Sequence, residues 1–165
     1  MRIFNEPIIL GKINKDASNR YIFKYFNTWV ENKNLYIKTE YLPLGLESLI
    51  KNKFFMEEDL IQLINELSFN LEYIHNLGIV HLDIKPDNIM LRLCETKWTY
   101  ILIDYSIGID IYNSELEVKE GDAKYMAPEF SKDLEDREIN EDLKAADIFS
   151  FGMTLLHVLS SMIES

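Results

Sequence analysis

The interpretation of this chain begins with one loop, Val80-His81-Leu82-Asp83-Ile84-Lys85-Pro86-Asp87-Asn88-Ile89-Met90. It places a carboxylate at Asp83, an amine at Lys85 and a carboxamide at Asn88 within a few residues of one another. Pro86 stiffens the loop between the amine and the carboxamide, because the proline ring fixes its own φ. Each of these polar residues alone fits an ordinary surface turn, so the prediction rests on their combination.

The composition predicts one globular domain in a reducing compartment. The 165 residues are 47% hydrophobic and 12% aromatic, which is enough for a sizeable core and too apolar for a disordered chain. The formal net charge of -11 argues against nucleic-acid binding, which needs clustered basic residues. The single Cys94 forms no internal disulfide. We also expect no membrane association, since no apolar run approaches a membrane span and residues 1–3 do not begin a signal peptide.

Hydrophobic periodicity predicts an α+β fold, with helices around two strand pairs. The predicted helices cover Ile3–Ile13, Glu57–Asn76 and Ala145–Met162. The last is apolar nearly all round, so we expect it to be buried. The predicted hairpins pair Tyr21–Val30 with Leu35–Tyr41, through a turn at residues 31–34, and Ile89–Leu93 with Thr99–Ile103. Residues 110–122 and 134–142 are polar and predict exposed segments.

The polar residues of the loop fit the requirements of phosphoryl transfer. That reaction needs a group that orients the attacking hydroxyl, metal ions on the phosphates and a cation on the transferred group. Asp83 fits the first role, Asn88 and Asp104 the second, and Lys85 the third. Asp104 follows the apolar run Thr99–Ile103, so a buried strand would deliver its carboxylate to the edge of a cleft.

Two features further along the chain have both a functional and an ordinary interpretation. The motif Gly121-Asp122-Ala123-Lys124-Tyr125-Met126-Ala127-Pro128-Glu129 lies where a segment that holds a peptide substrate would end. Alternatively, its proline simply begins a helix. Asp147 either ties the last helix to the backbone around His81 or caps the start of that helix.

Four stretches make the chain resemble eukaryotic protein kinases, and most of all the Wee family of mitotic inhibitor kinases. They are Tyr25–Glu31, His81–Ile89, Gly121-Asp122 ahead of Tyr125, and Lys144–Phe149. The resemblance implies a partial kinase-like fold from the family's helix C to its helix F. Residues 1–39 would be a small-lobe remnant with helix C and two strands, residues 40–42 the hinge, and residues 43–165 the helical first half of the large lobe. The kinases of initiation factor 2 are the nearest competing family.

The resemblance also implies a nucleotide site. Glu6 would be the helix C glutamate that pairs with an ATP-binding lysine, and Thr39 would close the back of the adenine pocket. The backbone from Glu40 to Leu42 would bond adenine, and Met90 would lie under the ring unless it is simply a core methionine. A packed column aligning the two lobes would contain Leu10, His81 and Tyr105.

The family further implies ATP and Mg²⁺ as cofactors and a protein as substrate, with a tyrosine of a cyclin-dependent kinase as the acceptor. Lys85 is the residue usual in serine/threonine kinases, so the tyrosine acceptor follows from the family alone. The implied location is the nucleus or the cytoplasm. A different class of function is a non-catalytic pseudokinase or binding module built on the same core.

Three departures from the family pattern lead to further expectations. Leu82 replaces a common arginine, so activity should not depend on phosphorylation within Ile107–Lys124. Ser106 replaces a usual glycine and should restrict the backbone. The glycine-rich loop, the strand lysine and an arginine partner for Glu129 are missing. We therefore expect a fragment that is weak or inactive alone. Its sheet would have an open edge, and its last helix would be uncovered.

Overall fold

The computed structural model describes residues 5–16, 18–113, 121–131 and 139–163. The helices are α1 Asn5–Ile13, α2 Leu46–Lys51, α3 Glu57–Asn76 and α4 Ile139–Ile163. The strands are β1 Tyr25–Glu31, β2 Asn34–Thr39, β3 Leu44–Gly45, β4 Ile79–Val80, β5 Ile89–Cys94, β6 Lys97–Leu102 and β7 Ile109–Asp110. Short 3-10 turns lie at Pro86–Asn88 and Pro128–Ser131. The predicted α+β class is confirmed.

Both predicted hairpins are present. β1 pairs antiparallel with β2, and β5 pairs antiparallel with β6 while also accepting β3 on its other side. The first turn is shorter than predicted, because only Asn32 and Lys33 lie between the strands. Their φ angles of 49° and 64° are those of a two-residue turn whose twist matches the strands.

β1 starts at Tyr25, later than the predicted Tyr21. The backbone carbonyls just before it are taken by side chains from elsewhere in the chain. The Asn70 side-chain amide donates to the Tyr21 carbonyl at 2.7 Å, and Arg92 Nη2 donates to the Ile22 carbonyl at 2.8 Å. Instead of extending β1, Ile22 forms an isolated parallel bridge with Leu102 of β6.

α3 is the central helix of the main core and has the predicted bounds. Its apolar stripe is buried against residues of α1 and of the β5–β6 hairpin. The buried members of the stripe are Leu63, Leu67, Leu71 and Ile74. This packing fixes α1 and the hairpin on either side of the loop that follows α3.

α4 is only partly buried, which differs from the burial all round that its composition alone predicts and agrees with the expectation of an uncovered last helix. Its inward face includes Phe151 and Val158, whereas its outward face exposes apolar side chains. The exposed ones are Ile148, Phe149, Leu156, Leu159 and Ile163. By length and composition, Leu143–Ile163 could also cross a membrane, a test that core helices of soluble proteins pass as well. The expectation that no apolar run approaches a membrane span is therefore wrong.

Several predictions fall wholly or partly outside the described residues. The exposed segment at 110–122 is described only to residue 113 and from residue 121, and most of 134–142 lies outside as well. The same applies to part of Ile107–Lys124, and the side chain of Glu129 is likewise not described.

Candidate active site

The polar residues of the Val80–Met90 loop converge on the Asp83 carboxylate. Lys85 Nζ lies 3.0 Å from Oδ1 and 2.9 Å from Oδ2. The Asn88 amide nitrogen donates to Oδ2 and to the Asp83 carbonyl, each at 2.8 Å. The backbone N–H of Asp122 approaches Oδ1 at 3.4 Å. The structure thus brings together the acid, the amine and the carboxamide that the sequence placed on one loop.

Lys85 is a partly buried ammonium among carboxylates. Burial by itself lowers the pKa of the Lys85 ammonium, but the hydrogen bond to Asp83 and the charges of Asp83, Asp122 and Asp87 outweigh it. The net result is a pKa above the ordinary lysine value. Lys85 therefore stays charged at neutral pH and is available as a cation for a phosphate.

His81 supports the loop from beneath and is fully buried. Its Nε2 lies 2.9 Å from the Ile103 carbonyl, and its Nδ1 lies 3.2 Å from the backbone N–H of Asp83. A carbonyl only accepts and an N–H only donates, so this geometry assigns a neutral ring with its proton on Nε2. Burial lowers the pKa of the His81 imidazole against the opposing charge of Asp147, which agrees with that assignment.

Asp147 anchors the same loop to α4. Its Oδ2 accepts the His81 backbone N–H at 2.9 Å, and its Oδ1 accepts the Leu82 N–H at 2.8 Å. His75 Nε2 also lies 2.8 Å from Oδ2. Since Asp147 lies well inside α4, its role is to tie the helix to the loop and not to cap the helix.

Asp104 and Glu6 come together on the other side of His81. Burial raises the pKa of the Glu6 carboxyl, the nearby charge of Asp104 raises it further, and a hydrogen bond with the Tyr105 backbone opposes both. Among the described residues no lysine or arginine pairs with Glu6. The expected lysine partner of Glu6 is not among the described residues, so its role as the helix C glutamate stays a prediction.

The residues predicted to align the lobes are all buried. Leu10, His81 and Tyr105 are completely inaccessible, and the His81 and Tyr105 rings meet edge to face with centroids 4.7 Å apart. Burial raises the pKa of the Tyr105 phenol, and its hydroxyl has no hydrogen-bond partner among the described residues. Tyr105 directly follows Asp104 in the chain, so the buried column is covalently connected to this predicted metal ligand.

The predicted hinge follows directly on β2. Thr39 ends that strand opposite Tyr25, and Leu42 is buried. β3 then pairs with β5 so that Gly45 lies opposite Met90. Thr39 and Met90 are both partly exposed, as residues bordering an open site would be.

Only the backbone of Glu40 was predicted to have a role, in binding adenine. In the structure its side chain also forms hydrogen bonds, to Arg92 and to the backbone of Lys24. The carboxylate forms an ion pair with Arg92 of β5, with Nε 2.7 Å from Oε2, and accepts the Lys24 N–H at 2.6 Å. Its backbone N–H donates to the Lys24 carbonyl at 2.9 Å.

Gly121 packs against the backbone of the loop. A Cβ added at Gly121 would overlap the Leu82 carbonyl oxygen and lie 3.5 Å from Asp83 Oδ1. A glycine is needed here because only hydrogen fits between the two backbones. This contact places the Gly121-Asp122 peptide directly beside the Asp83 carboxylate.

Leu82 occupies a hydrophobic cluster, which accounts for an apolar residue at this position. It is buried with Val80, Ile109 and Phe130. The Leu82 side chain thus joins the loop to the segments on both sides of residues 114–120. The predicted independence from phosphorylation remains a prediction, since those residues are not described.

The residues predicted to hold a metal are compatible with magnesium but do not form a complete site. The described residues contain no cluster of three or more histidine, cysteine or acidic side chains able to hold a metal ion. Both hydrogen bonds of Asn88 use its amide nitrogen, which leaves its Oδ1 as an acceptor. Magnesium commonly takes only one or two protein ligands and completes its shell with phosphate and water.

Sequence reasoning missed two residues, His75 and Arg92. His75 lies in the last turn of α3, where a basic residue is explained by the helix dipole alone. Arg92 fits an alternating strand as a solvent-facing residue. Neither position carries a local signal, because each partner is distant in sequence: Asp147 for His75 and Glu40 for Arg92.

Comparison with known proteins agrees with this geometry. A family profile described as protein kinase domain matches residues 1–163. A Wee1-like protein kinase from Oryza sativa subsp. japonica is 35% identical over 138 residues, covering 84% of this chain and 24% of that protein. One from Arabidopsis thaliana is 34% identical over 143 residues, covering 84% and 26%.

A Wee1-like protein kinase 2 from Mus musculus is 31% identical over 160 residues, covering 82% of this chain and 28% of that protein. The chain thus spans about a quarter of the length of these curated relatives. The kinase profile, in contrast, extends across nearly all of the chain and includes the loop, α3 and α4. The chain therefore belongs to the protein kinase domain family, and its sequence is similar to those of Wee1-like members.

Proposed function

We propose that this chain provides the phosphotransfer centre of a protein kinase, which moves the γ-phosphate of ATP to a protein hydroxyl. One observation carries the proposal: Lys85 and Asn88 both bind the carboxylate of Asp83 within one loop. Hydrogen bonds to both oxygens fix the orientation of that carboxylate before any substrate arrives. Preorganisation of this kind is what phosphoryl transfer requires from a protein.

Each side chain has a distinct task in this proposal. Asp83 accepts a hydrogen bond from the acceptor hydroxyl and orients its oxygen toward the phosphorus. Lys85, kept protonated by its carboxylate neighbours, balances negative charge on the transferred group. The neutral His81 and the bonds from Asp147 hold the loop backbone in place.

ATP and Mg²⁺ would be held by residues on both sides of the loop. Asn88 and Asp104 offer oxygen atoms to the cation, which neutralises phosphate charge when bound. The backbone from Glu40 to Leu42, with Thr39 and Met90 beside it, would receive the adenine. Glu6 lies near Asp104, whose charge raises the pKa of the Glu6 carboxyl.

The finer parts of the proposal rest on the Wee1-like relatives. We further propose a tyrosine of a cyclin-dependent kinase as the acceptor and a nuclear or cytoplasmic location, as the resemblance to the Wee family implies. The net charge of -11 supports the absence of nucleic-acid partners. The buried Asp147 supports a place for α4 inside the folded domain and not in a membrane. We also propose that missing kinase segments or another chain cover the open sheet edge and the exposed apolar face of α4.

The test is phosphate transfer from labelled ATP with Mg²⁺ to peptides that offer only tyrosine or only serine. Asp83→Asn should lower the rate on the order of a hundredfold or more, because it removes the positioned carboxylate. Asp87→Asn is the matched control on the same loop, since Asp87 is exposed, and it should keep the rate. Chelating Mg²⁺ should abolish transfer. Full transfer by Asp83→Asn would refute the role of Asp83.

A second candidate is a non-catalytic binding module with the same core. It is favoured by Glu6, which faces the charge of Asp104 and has no cationic partner among the described residues. Binding of ATP without any transfer to either peptide, even when the proposed further kinase segments are present, would support this candidate. Transfer that depends on Asp83 would exclude it.

A further inference from the structure

Arg92 connects three backbone segments through one guanidinium group. Its Nη1 donates to the Arg20 carbonyl at 2.5 Å and its Nη2 to the Ile22 carbonyl at 2.8 Å. Its Nε and Nη2 bind the two oxygens of Glu40 in a bidentate pair. The side chains of Arg92 and Glu40 are only 11% and 12% exposed. This is a nearly buried ion pair, and two further N–H donors of Arg92 bind backbone oxygens.

Glu40 is fixed from a second side as well. Its carboxylate accepts the Lys24 N–H at 2.6 Å, and its own N–H donates to the Lys24 carbonyl at 2.9 Å. Both the backbone and the side chain of Glu40 are therefore held in place. Any shift of the segment that starts at Glu40 has to break bonds to Arg92, to Lys24, or to both.

Arg92 also lies beside the opposite wall of the proposed adenine site. Residues two apart on a strand face the same side, so Arg92 and Met90 share one face of β5. Met90 lies opposite Gly45 of β3, which directly follows the proposed hinge. One guanidinium thus fixes the spacing between the Glu40–Leu42 backbone and the strand that carries Met90.

We propose that Arg92 is a positioning residue for adenine, which holds the Glu40–Leu42 backbone at the distance from Met90 that adenine requires. The inference rests on the proposed function, since it assumes that a nucleotide binds between these two walls. Lysine cannot replace arginine in this role, because a single ammonium cannot hold a bidentate carboxylate and two separate carbonyls in one plane.

The experiment compares ATP with GTP. The two nucleotides share their ribose and phosphates, so the ratio of their affinities reports contacts to the base alone. Fluorescent ribose-labelled ATP and GTP are titrated, with Mg²⁺, into the wild-type chain and into Arg92→Lys, Arg92→Gln and Glu40→Gln. We expect each variant to bind ATP about tenfold more weakly and GTP almost unchanged, because adenine loses well-placed hydrogen bonds.

The control is Ile74→Val, a mild core substitution in α3, where Ile74 is fully buried. It lowers stability without touching the hinge, so the ratio of ATP to GTP affinity should not change. Arg92→Lys and Glu40→Gln keep a polar side chain of similar size, so they test the proposal even if Arg92→Gln does not fold. If folded variants keep the wild-type ratio of ATP to GTP affinity, the role of Arg92 is refuted and the proposed function is not affected. A wild-type chain that binds no ATP refutes the proposed function, and the inference with it.

Discussion

At the scale of single residues, two positions of the site have a strained backbone, Leu82 directly before Asp83 and Asp104. Leu82 has a φ of 65° and Asp104 a φ of 64°, in the left-handed region that side chains other than glycine seldom adopt. Such a conformation costs on the order of 1–3 kcal/mol and persists only when surrounding contacts enforce it. At Leu82 those contacts are the Asp147 carboxylate on its N–H and Gly121 against its carbonyl.

His81 should make the stability of the domain depend on pH. Its pKa is below the ordinary value of 6.5 in the folded state, so only the unfolded chain takes up a proton as the pH falls through 6.5. The free energy of unfolding therefore decreases below that pH, by up to about 1.4 kcal/mol per pH unit from this group. Denaturant unfolding at pH 7.5 and pH 5.5 measures the change.

The control for this pH effect is the titration of the ring itself. NMR of the folded chain should show no protonation of His81 between pH 6 and pH 8. A His81→Gln variant, compared at the same two pH values, should lose less stability on acidification. Protonation of the His81 ring near pH 6.5 would contradict the neutral assignment.

Gly121→Ala should destabilise the domain. The added methyl group would overlap the Leu82 carbonyl oxygen, so one of two packed backbones has to move, at a cost of about 1–3 kcal/mol. Gly11→Ala is a matched control, since nothing lies within 4 Å of a Cβ at Gly11 in α1. It should be neutral or stabilising by up to about 1 kcal/mol. Denaturant unfolding of both variants measures the difference, and equal stabilities would show that the backbones are not in contact.

At the scale of elements, α4 serves as the support of the Val80–Met90 loop. Asp147 binds the loop backbone, and Thr154 Oγ1, about two turns further along the same face of the helix, lies 3.3 Å from the Ile84 carbonyl. Tyr125, beyond the Gly121-Asp122 peptide, reaches His157 Nδ1 with its hydroxyl at 2.7 Å. One face of α4 thus contacts both segments that surround Asp83.

The two faces of α4 should respond differently to substitution. Val158 is 0% exposed, so Val158→Ala should cost about 2 kcal/mol through lost burial and a cavity. Leu156 is 57% exposed, so Leu156→Gln should change stability by no more than about 0.5 kcal/mol. Thermal or denaturant unfolding tests both. A large loss from Leu156→Gln would mean that the outer face is covered in solution.

At the scale of the whole molecule, the charge is strongly unbalanced. Asp and Glu number 28 against 17 Lys and Arg, giving a net charge of -11. Repulsion among these carboxylates opposes the compact state. Ion pairs favour the folded state, but an exposed pair contributes little stability. Lys51–Glu47 is such a pair, because the lysine side chain is 71% exposed.

Moderate salt should therefore raise the stability of the domain. Sodium chloride at about 0.15 M shortens the range of charge interactions to about 8 Å and screens the overall repulsion. We expect the melting temperature to increase from low salt to this concentration by a few degrees, an effect of about 1 kcal/mol. The same series with uncharged sucrose at equal osmolality controls for solvent exclusion. A melting temperature that falls with salt would show that attractive ion pairs dominate instead.

Local patterns predicted much of this fold. The stripe of α3 and the two hairpins follow from periodicity, because period and turn chemistry act within a few residues. The convergence of Asp83, Lys85 and Asn88 was predictable for the same reason, since all three lie on one loop. The apolar composition of α4 predicted burial on all sides, whereas one face is exposed, because composition does not say which face finds a partner.

The sequence by itself determined the order of the elements and the residue types at the proposed phosphotransfer site. Only the tertiary structure decided how that site is held. Asp147 meets His81 across 66 residues and Arg92 meets Glu40 across 52, and no short-range pattern encodes such pairs. The physical reason is that a buried polar group takes its hydrogen-bond partner from whichever segment the packed core brings beside it.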